Sequence, residues 1–268
     1  MNYTEYFSKC RDVYQGEQRD SVSEFYSNPV KRVPIETFSE SYMESVRDVS
    51  SKVKSYFDDY PTNDIITYYP NFLDFQPQIE TMCGDLVPWL EKNTYGCNLF
   101  VDKIYIYRTS EISKRKSSYI WHYDNNPIEI VKNIIYLNDV DLQNSPFEYL
   151  MSNEGRGVLF PATRKGPNEW GSAPNNSRVD DLVSDMVSSG THQPFKVLGP
   201  IGTTYSFNND AAHRVNPVES GYRDVINIRV KPTTTKPPKY VSEIWTTDNR
   251  VSGVVNPDPE KDWSYYSK

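Results

Sequence analysis

The period of the hydrophobic pattern changes near Gly96, and that change restricts the fold more than any other feature of the chain. Before it, large side chains recur every three or four positions. Phe38, Tyr42, Val46, Val49, Val53 and Phe57 form one stripe within 36–57. Ile79, Met82, Leu86 and Leu90 form a second, with Trp89 beside it. Such spacing lines one side of an α-helix, so both stripes read as packing faces. Pro88 sits where it interrupts or bends the second helix. After Gly96 the spacing drops to two, in short apolar runs. Strands are expected at 98–108, 118–122, 132–137, 146–150, 157–160, 203–207 and 224–230. Clusters of Asn, Asp, Gly, Ser and Pro separate them. The longest polar interruption, 161–193, reads as a loop-rich insertion with a short helix at 180–187, and TTTKPP at 233–238 as the exit into an extended tail. Many short strands at this spacing predict a mainly β protein, a sandwich or jelly roll with helices packed outside. The expected organisation is one domain over 1–268. It has a mainly helical layer at 1–97, a β core at 98–232 with an insertion at 161–195, and a tail at 233–268.

Hydrophobic residues make up 37% of the chain, which is low, yet 21 tyrosines supply large rings with polar tips, so a core can still form. The net charge of −7 provides no basic field for a phosphate backbone, and nucleic acid is not an expected partner. Lys114-Arg115-Lys116 reads as a solvated loop. Cys10, Cys83 and Cys97 are odd in number and lack C-x-x-C spacing, which fits neither a disulfide framework nor a zinc knuckle. With no apolar leader and no apolar run of about 20 residues, a soluble, cytoplasmic protein without membrane attachment is expected.

The chain has three histidines: His122, His192 and His213. His122 and Asp124 stand two apart at the end of a predicted strand, where alternation puts both on one face. His213 follows His122 by 91 positions (213 minus 122), after the predicted strand 203–207 and the turn Asn208-Asn209-Asp210. Two neutral imidazoles and one carboxylate on one side of an ion leave its other side open, which suits non-heme iron(II). Structural zinc takes four protein ligands, and no cysteine lies near either histidine in sequence. Arg223 comes ten residues after His213, beyond a turn at Glu219–Gly221, so a returning strand brings its guanidinium back toward the metal. A planar fork of donors holds a carboxylate at two points.

The runs WHYDNNPIEIVKNIIYLNDVDLQNSPFEYL and TTYSFNNDAAHRVNPVESGYRDVINIRV resemble the iron/2-oxoglutarate oxygenases, in particular their phytanoyl-CoA-hydroxylase-like branch, over roughly 98–232. The resemblance implies a double-stranded β-helix, a form of jelly roll (cupin-like). It puts that family's His-x-Asp…His motif on His122, Asp124 and His213 and its 2-oxoglutarate arginine on Arg223. Iron(II), 2-oxoglutarate and O2 are the implied cofactor and cosubstrates. Members often carry a polar residue two after the arginine; here it is Val225. Further cosubstrate contacts are expected from Tyr107 and Thr109 on the strand before His122. Halogenating members replace the acid of the motif, so the presence of Asp124 implies hydroxylation or a related oxidation, with succinate as co-product.

Plainer readings stand beside these. His122 and His213 can be core histidines, and Arg223 can pair with Asp224 or Glu219. His192 reads as a loop histidine, with substrate contact the alternative, and Arg164, Lys165 and Trp170 are open in the same way. A small organic molecule is the expected substrate. The alternatives are a protein or peptide side-chain hydroxylase, and a non-catalytic metal- or sugar-binding jelly-roll module.

Overall fold

The computed structural model describes residues 3–18, 28–61, 66–110, 117–124, 130–160, 178–241, 246–248 and 253–254. Apart from the short helix α1 (Tyr3–Asp12), the helical layer consists of α2 (Glu40–Asp59) and α3 (Gln76–Leu90). Ser39 starts α2 by accepting a hydrogen bond from the Tyr42 amide at 3.2 Å, satisfying one of the amides that a helix start leaves open. The predicted stripe of α2 is the buried one: Tyr42, Val46, Val49, Val53 and Phe57 all lie inside. Helix α3 continues past Pro88 to Leu90 and then widens into a π-helical turn, Glu91–Tyr95, which Gly96 ends at φ 63°. A left-handed residue at that place favours glycine.

The strands are β1 (Val30–Arg32), β2 (Ile66–Tyr68), β3 (Asn98–Ser110), β4 (Val131–Tyr136), β5 (Phe147–Ser152), β6 (His192–Val197), β7 (Thr204–Asn208), β8 (His213–Val215), β9 (Tyr222–Thr233), β10 (Thr246–Asp248) and β11 (Gly253–Val254). The larger sheet runs β1-β7-β4-β9-β3-β11-β10, with β2 also on β3, and the smaller runs β6-β5-β8. These strands all pair antiparallel, as in a jelly roll.

Alternation divides the central strands β3, β9 and β4 into two unlike faces. Ile104 and Ile106 on β3, Ile226, Ile228 and Val230 on β9, and Val131 and Ile135 on β4 join the core with Val46, Val49 and Val53 of α2. Burying each such aliphatic side chain is worth about 1.5–3 kcal/mol. The other face carries Lys103, Tyr105 and Tyr107, then Arg223, Asn227 and Arg229, then Lys132 and Ile134, all of which line a cavity toward the small sheet. Phe147 of the small sheet meets Phe207 of the large one at 4.7 Å between ring centroids, joining the two layers. The three cysteines are free, buried and part of the helix-side core.

Several local expectations need correction. Residues 118–122 are not a strand: a 3-10 turn occupies Ser117–Tyr119, and His122 makes a lone bridge. Residues 157–160 likewise form only isolated bridges, through Gly157 and Leu159. The polar stretch 161–193 hides the start of β6, while the helix expected inside it is α4, Asp180–Ser188. Two strands, β1 and β2, interrupt the helical layer, because each adds to an edge of the sheet. The tail returns as β10 and β11 rather than staying extended. Lys114-Arg115-Lys116, Arg164, Lys165 and Trp170 lie outside the described residues.

One ion pair ties helix layer and sheet together. Arg108 of β3 donates from Nε and Nη2 to the two oxygens of Asp224 on β9, at 2.7 and 2.8 Å, and from Nη1 to Asp58 of α2 at 2.8 Å. Asp224 is buried, and burial pushes its carboxyl up while Arg108 opposes. Removing one partner of such a pair strands the other charge. Arg108→Ala is predicted to cost about 3–5 kcal/mol in urea denaturation, because Asp224 keeps its burial and loses its counter-ion. A loss below about 1 kcal/mol, as for surface pairs, would refute this account.

Candidate metal centre

Residues 122 and 213, far apart in sequence, meet through backbone pairing. The His122 amide donates to the His213 carbonyl at 3.0 Å and the His213 amide to the His122 carbonyl at 2.9 Å. This mutual bridge sets the imidazoles side by side, with ring centroids 4.3 Å apart. The Asp124 amide donates to the Asn209 carbonyl at 2.8 Å, so the turn before β8 fixes the third residue as well. Ligand atoms of His122, Asp124 and His213 all lie within 4.8 Å of one another.

The rings are also set in orientation. His122 Nδ1 lies 2.8 Å from the Ile120 carbonyl oxygen, and His213 Nδ1 lies 2.7 Å from that of Ala211. A carbonyl only accepts, so each Nδ1 carries the proton and each Nε2 keeps its lone pair for an ion. Protonation of either ring is disfavoured. Burial, then His213, pushes His122 down to about 3, and burial pushes His213 down as well. For Asp124, burial raises the carboxyl, but Lys132 and the two histidines outweigh it and hold it below the usual range. Lys132 Nζ sits 2.5 Å from Asp124 Oδ2. The residues are therefore two neutral imidazoles and one carboxylate at neutral pH, a donor set suited to a divalent cation with positions left open.

Arg223 lies in the same cavity, which measures about 600 Å³. Its side chain is 0% exposed. Nη2 reaches Thr109 Oγ1 at 3.4 Å, while Nε and Nη1 have no hydrogen-bond partner. No carboxylate among the described residues pairs with it: Asp224 faces the opposite side of β9 and belongs to Arg108. A buried guanidinium without an anion is costly, so the free Nε and Nη1 of Arg223 are donors suited to a carboxylate. Tyr136, directly across β4 from Val225, is pushed up to about 12 by burial, with Arg223 pulling the other way, and stays protonated.

The other expected residues fall in different places. Tyr107 lines the cavity, whereas Thr109 is fully buried behind it and touches Arg223. Val225 is buried in the cavity-side core, with no polar atom to offer. His192 lies on β6, with Nδ1 2.8 Å from Thr191 Oγ1, and does not line the cavity. Arg214 points away from His213's neighbours, over the Trp121 ring at 4.5 Å and onto Glu148 at 2.5 Å. Sequence reasoning missed Lys132, Asn227, Arg229 and Lys103 on the cavity wall. Their signal was present: each is a polar residue at an alternate position of an otherwise apolar strand.

The two sheets, their order and the sites they hold define the double-stranded β-helix class. Among solved structures, the apo form of EctD from S. alaskensis superposes with a TM-score of 0.53 at 13% identity, covering 89% of this chain and 90% of that one. AviO1 from Streptomyces viridochromogenes Tue57 gives 0.52 at 14%, covering 82% and 96%. HygX from Streptomyces hygroscopicus, with nickel and 2-oxoglutarate bound, gives 0.50 at 17%, covering 91% and 98%. At such identities the likeness is one of fold. No protein-family model matches the sequence, and no curated protein matches it. No helix among the described residues is long and apolar enough to cross a membrane.

The depressed imidazoles give the metal-free protein a pH dependence. Each folded-state value lies below the unfolded one of about 6.5, so the stabilisation is present above that pH and is lost as pH falls toward the folded value. Between about pH 6.5 and 5, above the carboxylate range, the urea midpoint of metal-free wild type is predicted to fall. The His122→Gln variant should show a visibly shallower decline, and equal slopes would contradict the assignment.

Proposed function

We propose that the chain is an iron(II)- and 2-oxoglutarate-dependent oxygenase of a small organic molecule, acting as one catalytic unit over 1–268. His122, Asp124 and His213 hold the metal, and Arg223 pairs with the far carboxylate of 2-oxoglutarate. The observation that carries this reading is the coincidence, in one cavity, of three ligand atoms within 4.8 Å and a buried arginine that has no anion among the described residues. Either half alone is common. Together they match a chelating dicarboxylate at an open metal site. The HygX structure, which shares the fold and holds nickel and 2-oxoglutarate, supports the same reading. A cavity of about 600 Å³ falls in the range of small-molecule sites.

When bound, iron(II) with 2-oxoglutarate supplies dioxygen-driven oxidation of a C–H bond, with release of succinate and carbon dioxide. The chain's own residues do the positioning. The carbonyls of Ile120 and Ala211 hold both imidazoles with Nε2 toward the ion. Thr109 orients the Arg223 guanidinium, so that two of its nitrogens remain for a carboxylate. Phe147 and Phe207 make an apolar wall beside His213, 5.7 and 5.0 Å from its ring, which keeps bulk water from the reacting centre. Tyr107 lines the cavity one alternate position from Thr109 and is the wall against which the cosubstrate lies.

With iron(II) and 2-oxoglutarate, the wild type is expected to form succinate, more so with a substrate present, and a chelator should stop it. Asp124→Ala should lose this turnover; equal succinate from the variant, or none from the wild type, would sink the proposal. Arg223→Ala should raise the KM for 2-oxoglutarate about 100-fold, the size of a charge-assisted pair, with a smaller change in kcat. Steady-state succinate assays check both, and an inert binding module gives none.

A further inference from the structure

One oxygen of Asp124 faces two different groups. Oδ2 lies 2.5 Å from Lys132 Nζ and 3.9 Å from His213 Nε2, so an ammonium and an imidazole meet at the same carboxylate. Asp124 is the only carboxylate among the described residues that line the cavity. Beside two neutral imidazoles it brings a single negative charge to an ion, and that charge is shared with a positive one. Two histidines and an aspartate bind a divalent cation without help from a lysine, so the place of Lys132 needs its own account.

Lys132 reaches this place through strand register. On β4 it stands between Val131, which joins the helix-side core, and Asn133, which is fully buried, so alternation turns its side chain to the cavity. It lies opposite Phe207 of β7 and Arg229 of β9. The side chains of Lys132 and Asp124 are 19% and 21% exposed, so water and salt screen the pair only in part. Of the other cations around the centre, Arg229 donates to both oxygens of Asp102, and Arg178 is exposed beside His122. Among the described residues, Lys132 is the cation that touches a ligand carboxylate.

Whichever oxygen of Asp124 meets an ion, the ammonium stands on the same carboxylate. Two positive charges on one carboxylate repel, and at a partly covered site that repulsion persists. An anion that joins the ion at its open positions is attracted by the same ammonium. The charge of Lys132 therefore acts with opposite sign on cation and anion. A lysine that only braced Asp124 would act with one sign, because a loosened carboxylate weakens the hold on the ion and on whatever the ion carries.

We propose that Lys132, through its contact with Asp124, tunes the metal centre: it weakens the hold on the bare divalent cation and strengthens the hold on anionic 2-oxoglutarate at the loaded site. The inference rests on reading this cavity as the oxygenase site and adds a positioning residue to it. A centre tuned in this way releases its metal more readily when no cosubstrate is present.

The test measures nickel(II) binding by calorimetry on metal-free wild type and Lys132→Met, then 2-oxoglutarate binding on the same proteins saturated with nickel(II). Methionine removes the charge and keeps most of the side-chain length. Lys132→Met should bind nickel(II) at least about tenfold tighter than wild type and 2-oxoglutarate at least about threefold weaker, the opposite shifts that loss of one nearby charge produces. Raised salt should narrow both differences. Lys132→Arg, which keeps the charge, should stay nearer to wild type than to Lys132→Met in both measurements. Should Lys132→Met fail to fold, Lys132→Gln removes the charge, keeps a donor for Asp124, and is read by the same two criteria. Nickel(II) binding that is equal or weaker in the folded neutral variant, as a mere brace for Asp124 predicts, would overturn the inference. So would 2-oxoglutarate binding that is equal or tighter, or a Lys132→Arg that matches the neutral variant. Failure of the underlying reading looks different: nickel-loaded wild type then takes up no 2-oxoglutarate at all, and the inference goes with it.

Discussion

The two-residue alternation of β3, β9 and β4 is the constraint on which everything else in this molecule depends. A strand has two faces, and here one is filled with Ile and Val and the other with charged, amide and phenol groups. The apolar face can only be buried, and α2 and α3 cover it. The polar face cannot be buried against an apolar layer without large cost, so the smaller sheet stands off it and leaves a cavity. A slip of one residue in β9 would turn Arg223, Asn227 and Arg229 into the helix layer and Ile226 and Ile228 into the cavity, exchanging core and site together. Register is thus set by burial on one side and decides which side chains line the cavity on the other.

Within that frame, the site is held by backbone more than by side chains. The two histidines are joined by reciprocal amide–carbonyl bonds, and each ring is turned by a carbonyl two residues before it. Carbonyl partners cannot change protonation state, so the imidazoles keep one tautomer whatever the pH does to nearby side chains. Asp124 is similarly held at its amide. A donor set fixed this way needs little further ordering, which would lower the cost of binding an ion.

Buried charge is distributed with the same logic. Arg108 has Asp224 and Asp58, and Arg214 has Glu148: these pairs are closed and tie elements together. Arg223 has a hydroxyl and, among the described residues, no anion, whereas Arg229 shares its carboxylate with Lys231. The closed pairs explain themselves as structure. Among the described residues Arg223 is the open one, and it lies on the cavity wall, where a bound acid would complete it.

Much of this was legible in the linear chain, for reasons that can be named. The stripe of α2 was visible because a helix must bury one continuous face, and the central strands because their alternation is regular. His122, Asp124, His213 and Arg223 stood out because histidine is scarce here and because their spacing resembles a known pattern. Other features needed the folded coordinates. Segments 118–122 and 157–160 look like strands by composition, but each meets its neighbour at single points, and a ladder depends on a partner that local sequence does not contain. Strand β6 was hidden by polar residues because an exposed edge strand needs little apolar surface. That Thr109 touches Arg223, and that Lys103 and Lys132 both pair with Arg229, needed the coordinates for the same reason: each is defined by register between strands many residues apart. The sequence by itself determined which residues are apolar, at what period, and which side chains are able to bind an ion. Only the tertiary structure decided which of them face one another, because pairing across strands is a property of long-range contacts and not of any one segment.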